Sequence, residues 1–462
     1  MDARARRKSD ERKLIPRFCF WAWSLFLLGL LPACLWWKPD ALPSLSSSSF
    51  IVLKERVASI RRLSFNRDVS YDASLSAENG FDREYDASSV ARLSRVYTSI
   101  GLLPDTADLG KAFDAFQRLQ RLTYYDSRTE RVVLAPESIR LGHALAGDDS
   151  RTAETIPLVF ALTQALQEQH FPWSSNLRSV PAQDRRLALR AVTRGDVVLV
   201  GLAYLGGGRP ERWPDQQQAI IRLANELDRM ASDLPLMLRE QLVFPYREGS
   251  QFVQWAYAAR GMEGVNALFA DPPLSTAQVM HPEKFYVRRQ NPLRIVPWGL
   301  MREMKQGAIL EQTLGEYLTQ SLIAASDSRI VAARIASGWV GDHLSAYAEG
   351  KNVITCWISA WDNEAHAQSF LRAFETVLAR RRRLRFEPFA GEHSKLTADL
   401  PGGGATFLQV KGSMVLFLDG LAAQRSLELA ERVWQELETS AEPARLPFDL
   451  ARGRPQFASS KR

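Results

Sequence analysis

FALTQALQEQHF, residues Phe160–Phe171, is the stretch on which the reading of this chain turns. Apolar and polar letters alternate with helical spacing, and Pro157, tolerated in a first turn, predicts a helix opening there and running through Gln169. Residues 160, 164 and 168 recur every four positions and so share one face. Two His four apart on such a face, with a Glu beside the first, would bind zinc and activate its water. Here Phe160 and Gln164 stand where the two His would be, and Ala161 where the Glu would be.

Those three letters decide the chemistry. Catalytic zinc needs about three N, S or O donors and one open position. Phe160 donates nothing, Gln164 is a weak neutral ligand, and Ala161 cannot take a proton from water. The six His, at 143, 170, 281, 343, 366 and 393, form no i, i+4 pair that could rebuild the site. His281 and Glu283 in HPEKF read as the polar end of a packed turn. No Ser/His/Asp or Cys/His arrangement is legible, and Cys356 within an apolar strand reads as core.

Around this helix the chain reads as α+β. AFDAFQRLQRL, Ala112 to Leu122, sets Phe113, Phe116 and Leu119 at helical spacing as a core-facing stripe. TERVVLAP, 129–136, predicts a strand, and further helices are expected over Asp184–Leu205 and Gln216–Leu242. Past Gly315 a smaller α+β unit is expected. A hairpin turns at Glu349–Asn352, then a strand pair spans ATFLQVKGSMVLFLDG and the helix AAQRSLELAERVWQEL follows. The Gly triplets at 206–208 and 402–404 lack the Lys and Ser/Thr of a phosphate loop and read as turns.

With 462 residues, 46% apolar and 24% charged, the chain can bury a proper core. Its net charge of +7 does not describe a nucleic-acid face. The first 17 residues alone hold seven Lys or Arg against three acids, and RRRRLR, Arg380–Arg385, reads as a helix C-terminus, where cations are favoured. FCFWAWSLFLLGLLPACLWW, 18–37, has the length and apolarity of a bilayer crossing, with Trp near both ends. The cations before it place the N-terminus in the cytoplasm and the body outside. Two readings stay open: an uncleaved signal anchor, or a lipoprotein signal in which LPAC offers Cys34 for lipidation. Cys19 and Cys34 both lie in this segment, which leaves Cys356 without a disulfide partner in the body. Residues 38–49 read as a Pro/Ser-rich linker and 441–462 as a loose basic tail.

The string ALTQALQEQHF, the segment Phe244–Phe285 and GWVGD, Gly338–Asp342, resemble a family of bacterial zincin-type metallopeptidases that is itself largely uncharacterised. The resemblance runs from about Tyr124 to Phe374. It implies a mainly helical zincin-like domain with short strands over 50–312 and a C-terminal α+β unit over 313–440. It also implies two His ligands and a catalytic Glu on one helix, with a Glu of the next helix completing the site. Carried over by position, these fall on Phe160, Gln164, Ala161 and Arg194, so this is a degenerate member. Arg194 would add positive charge where a dication should sit, a repulsion of several kcal/mol even at an effective dielectric near about 20. With Phe160, Gln164 and Glu168 on one face, Arg194 is expected to pair with Glu168 or to hydrogen-bond Gln164.

The expectation is therefore a membrane-tethered, extracytoplasmic, non-catalytic protein that takes no metal or other cofactor and no nucleic acid. Its partner would be a peptide or protein, in a scaffold or regulatory role. The alternatives are an active metallopeptidase with an unrecognised ligand set and a structural envelope protein.

Overall fold

Pro157 does not open its helix but lies well inside it. A computed structural model describes residues 45–71, 86–104, 106–147, 150–174, 177, 180, 182–304, 306–350 and 352–441, and a single helix runs Ser150–His170. A proline at 157 leaves the Ala153 carbonyl without its N–H partner. Gly142 faces that carbonyl so closely that a Cβ there would sit 1.9 Å from its oxygen. A bare Cα thus covers the group the proline leaves open, through a weak C–H contact.

In chain order the elements are α1 (Ser47–Arg61), β1 (Ser70–Tyr71), α2 (Ala87–Ser99), α3 (Leu109–Gln120), β2 (Thr123–Asp126), β3 (Arg131–Leu134), α4 (Ile139–Ala146) and α5 (Ser150–His170). Then come α6 (Gln183–Leu205), α7 (Gln216–Met230), α8 (Leu236–Ala270), α9 (Thr276–Met280), α10 (Glu283–Tyr286), β4 (Leu293–Pro297), α11 (Trp298–Glu303) and β5 (Leu310–Gln312). The remainder is α12 (Gly315–Ala324), α13 (Arg329–Ala336), β6 (Trp339–Glu349), β7 (Asn352–Trp361), α14 (Glu364–Arg382), β8 (Glu387–Phe389), β9 (Glu392–Asp399), β10 (Ala405–Lys411), β11 (Met414–Leu421), α15 (Ala423–Gln435) and β12 (Leu437–Ala441).

The α+β class holds, with corrections at several boundaries. Residues 47–49, read as linker, are the first turn of α1, because the Ser46 hydroxyl accepts the Ser49 N–H as an N-cap. The single helix expected over Gln216–Leu242 is two helices, α7 and α8, broken before Pro235. Ala441, read as the start of the tail, pairs with Leu293 at the end of β12. The basic start 1–17, the apolar segment 18–37 with Cys34, the linker up to residue 44 and the tail 442–462 lie outside the described residues. No helix among the described residues is long and apolar enough to cross a membrane.

Helices α1, α5, α6 and α8 gather over one apolar core, with the small β1-β3-β2 sheet against α5. Helices α6 and α8 cross at Gly195 and Gly249, where a Cβ at 195 would meet the Gly249 carbonyl oxygen at 2.2 Å. That backbone contact carries the next residue, Asp196, into the core.

The seven-stranded sheet has the order β5-β6-β7-β11-β10-β9-β8 and is antiparallel at every pairing. One face packs on α14, where Phe370 and Phe374 set their edges against Trp357 at 5.4 and 5.2 Å. The other face packs on α15 through Leu429, Ala430 and Val433. Burial on both faces explains why β7 reads NVITCWISAW, a near-continuous apolar run. The edge strands β5 and β8 are only three residues each, which limits pairing with another chain.

Candidate functional site

The zinc-motif positions on α5 are core positions. Phe160 and Ala161 have no exposed surface, and Gln164 is 3% exposed. The Phe160 ring lies over Gly201 of α6, where a Cβ would come within 2.7 Å of Phe160 Cε1 and 2.9 Å of Leu145 Cδ2. Gln164 Nε2 donates to Thr123 Oγ1 of β2 at 3.0 Å and to the Phe160 carbonyl at 3.3 Å. The one side chain here with a donor atom is thus committed to the strand above it. Ala161 belongs to the same buried apolar cluster as Leu158, Leu162 and the inward residues of α1.

Arg194 does not do what the spacing suggested. Its Nη2 donates to the Gln120 carbonyl at 2.9 Å, at the end of α3, and its guanidinium lies 5.8 Å from the centre of the Tyr246 ring. Glu168 turns the other way: its carboxylate accepts from Ser174 N at 3.2 Å and from the Ser174 hydroxyl at 2.5 Å. The expected Arg194 contact with Glu168 or Gln164 is therefore replaced by two separate local contacts. Helical spacing aligned 160, 164 and 168, but it carried no information about which residues of α3 or the 171–174 turn would arrive nearer.

A zincin's metal would need donors that these residues do not supply. Phenylalanine, alanine, a committed amide and a guanidinium held at a carbonyl form no ligand set. Among the described residues no group of three or more His, Cys, Asp and Glu is arranged to hold a metal ion.

Beside this patch lies a polar cluster that the sequence did not reveal. Arg61 of α1 and Asp196 of α6 form an ion pair with no exposed surface, Nε to Oδ2 at 2.9 Å. Gln167 of α5 donates to the same Oδ2 at 2.8 Å and to the Thr193 carbonyl at 3.0 Å. Arg61 Nη1 donates to Asn266 Oδ1 of α8 at 2.5 Å. Four helices thus meet at one buried charge pair. Desolvation makes such a pair costly to break from one side. Arg61 and Asp196 are 135 residues apart, so no local pattern announces them; only Asp196 following the crossing glycine is a signal in retrospect.

The segments that carried the family resemblance are structural ties. His281, in the turn between α9 and α10, places Nε2 at 2.6 Å from Glu316 Oε1, a carboxylate that is 1% exposed. Lys284 Nζ approaches the other oxygen at 3.8 Å, and Glu283 stays largely in solvent. Asp342 of GWVGD accepts four N–H groups: Leu314 N and Gly315 N at 2.9 Å, Trp339 Nε1 and Trp357 Nε1 at 3.0 Å. Burial pushes its carboxyl upward while those donors oppose the shift. It caps α12 and pins two buried indoles. Cys356 is fully buried, and burial pushes its thiol well above the usual range, as a core residue requires. The Arg380–Arg385 run does end a helix, yet Arg382 is drawn inward to Asp419, at 2.7 Å.

The family model of a Domain of unknown function (DUF8575) matches residues 302–430. That span covers α12–α14 and all seven strands of the seven-stranded sheet, together with most of α15. Among curated proteins and among solved structures the chain has no match.

Proposed function

We propose that this protein is a membrane-tethered, extracytoplasmic binding protein on a zincin-like frame, and that it does not hydrolyse peptides. The observation that carries the reading is the packing of Phe160, Ala161 and Gln164 into the core of α5, with Arg194 held at the Gln120 carbonyl. A hydrolytic site needs an open metal position and a base beside its water. Sealed apolar packing with a bonded amide favours a frame kept for its shape. The tether rests on residues 18–37, whose apolar length and flanking cations suit a bilayer crossing or a lipoprotein signal. A peptide or protein partner in a scaffold or regulatory role follows from the frame's resemblance to peptidases.

The test is a peptidase assay on the full-length chain with a quenched-fluorescent peptide library, with and without added zinc. The expected result is no turnover above buffer in either condition. Zinc-dependent turnover that disappears in Gln164→Ala would contradict the reading.

A further inference from the structure

Helices α13 and α14 leave a groove of about 540 Å³ between them, within the size range of ligand pockets. None of the α5 positions lines it. Its apolar lining comes from Ile335 of α13 and from Ala365 and Ala373 of α14. Arg334 stands on one helix and Arg372 on the other, both exposed, and neither side chain has a hydrogen-bond or ion-pair partner among the described residues. His366 is held in place: Nδ1 lies 2.5 Å from Asp362 Oδ1, and Gly338 presses behind the ring, where a Cβ would come within 2.4 Å of Nδ1. Asp327 is the one carboxylate of the lining, and it accepts the Ser328 N–H at 2.7 Å.

We infer that this groove binds an extended acidic segment of a partner protein, with carboxylates on Arg334 and Arg372 and aliphatic groups against Ile335 and Ala373. The inference rests on the binding-protein reading for its partner class. Arginine forks match carboxylates in a bidentate way, and two of them on opposite walls fix both ends of a short segment. A phosphate group or lipid headgroup would use the cations but leave Ile335 and Ala373 uncovered. A second copy of this chain is a poor match, since its net charge is +7. Asp327 gives the groove a direction, because it repels the guest's carboxylates toward the two arginines.

The test uses the full-length chain in detergent and a fluorescein-labelled octapeptide alternating glutamate and alanine, with a glutamine-for-glutamate twin as control. Fluorescence anisotropy should show binding of the acidic peptide, weakened at least tenfold in the twin and in Arg334→Glu/Arg372→Glu, and weakened by salt near about 0.3 M. Gln164→Ala should bind like the parent. If the charge-reversed pair folds poorly, Arg334→Gln and Arg372→Gln each replace it, with a loss of about threefold or more expected. The inference is overturned by equal binding of both peptides, by no binding, or by indifference to every arginine substitution. It is also overturned if millimolar inorganic phosphate or phosphatidylglycerol vesicles displace the peptide completely, which would assign the cations to a phosphate. A chain that binds the acidic peptide yet ignores the substitutions leaves the binding reading intact. A chain that hydrolyses peptides overturns that reading and not the groove.

Discussion

Replacing Gly201 by alanine should destabilise the protein when residue 160 is phenylalanine and stabilise it when residue 160 is alanine. The added Cβ would lie 2.7 Å from Phe160 Cε1 and 2.9 Å from Leu145 Cδ2, closer than carbon atoms pack. Both neighbours are fully buried, so the ring must shift within a dense core. Overpacking of this kind costs about 1–3 kcal/mol. Against it stands the gain of about 1 kcal/mol from replacing a glycine inside a helix. The net change is a loss of about 0–2 kcal/mol. Phe160→Ala alone removes a buried ring and should cost about 3–5 kcal/mol. In that background the clash with the ring is gone and Leu145 can turn into the space, so only the helical gain remains. The two sites should therefore couple by about 1–3 kcal/mol. Urea unfolding of the four proteins, followed by far-UV circular dichroism, measures this. A Gly201→Ala effect equal in the two backgrounds within about 0.5 kcal/mol would refute the claim that the Phe160 ring fills the space over Gly201.

The Arg61–Asp196 pair offers a second test by urea unfolding: Asp196→Ala should cost about 3–5 kcal/mol, because it strands a buried guanidinium, whereas Arg61→Leu/Asp196→Leu should cost much less. Asp342→Asn should cost at least about 2–3 kcal/mol and change the near-ultraviolet dichroism of Trp339 and Trp357, since an amide cannot accept from four N–H donors. Burial, with Arg294 adding to it, pushes His343 down to about 4. The folded state then stays neutral while the unfolded state, with an ordinary value near about 6.5, takes up a proton as pH falls. Stability should drop between about pH 6.5 and 4 and level off below. The loss at pH 5 is about 2 kcal/mol, and His343→Gln should remove it in urea titrations at pH 7 and 5.

The parts of the fold that sequence made legible are those whose signal is local. The β6–β7 turn at Glu349–Asn352 and the α3 stripe of Phe113 and Phe116 were readable because pattern and turn chemistry agree there. Pro157 misled because the compensating partner, Gly142, belongs to another helix. The Ser46–Ser49 run has linker composition, and only its cap geometry shows that a helix begins there. At the site, the absence of zinc donors at 160, 161 and 164 was visible letter by letter, while the partner of Arg194 was not. Spacing within α5 and α6 cannot say that Gln120 and Ser174 arrive closer than Glu168 and Gln164. The Arg61–Asp196 pair and the arginine-walled groove each join distant segments, and such contacts leave no mark on a single sequence.

Helix α5 presents packed core at Phe160, Ala161 and Gln164. Crystals of the protein grown with excess zinc and measured at the zinc absorption edge probe that packing without relying on activity. The expected result is no anomalous peak beside residues 160–168. A peak there at full occupancy, held by three or more side-chain donors, would contradict it.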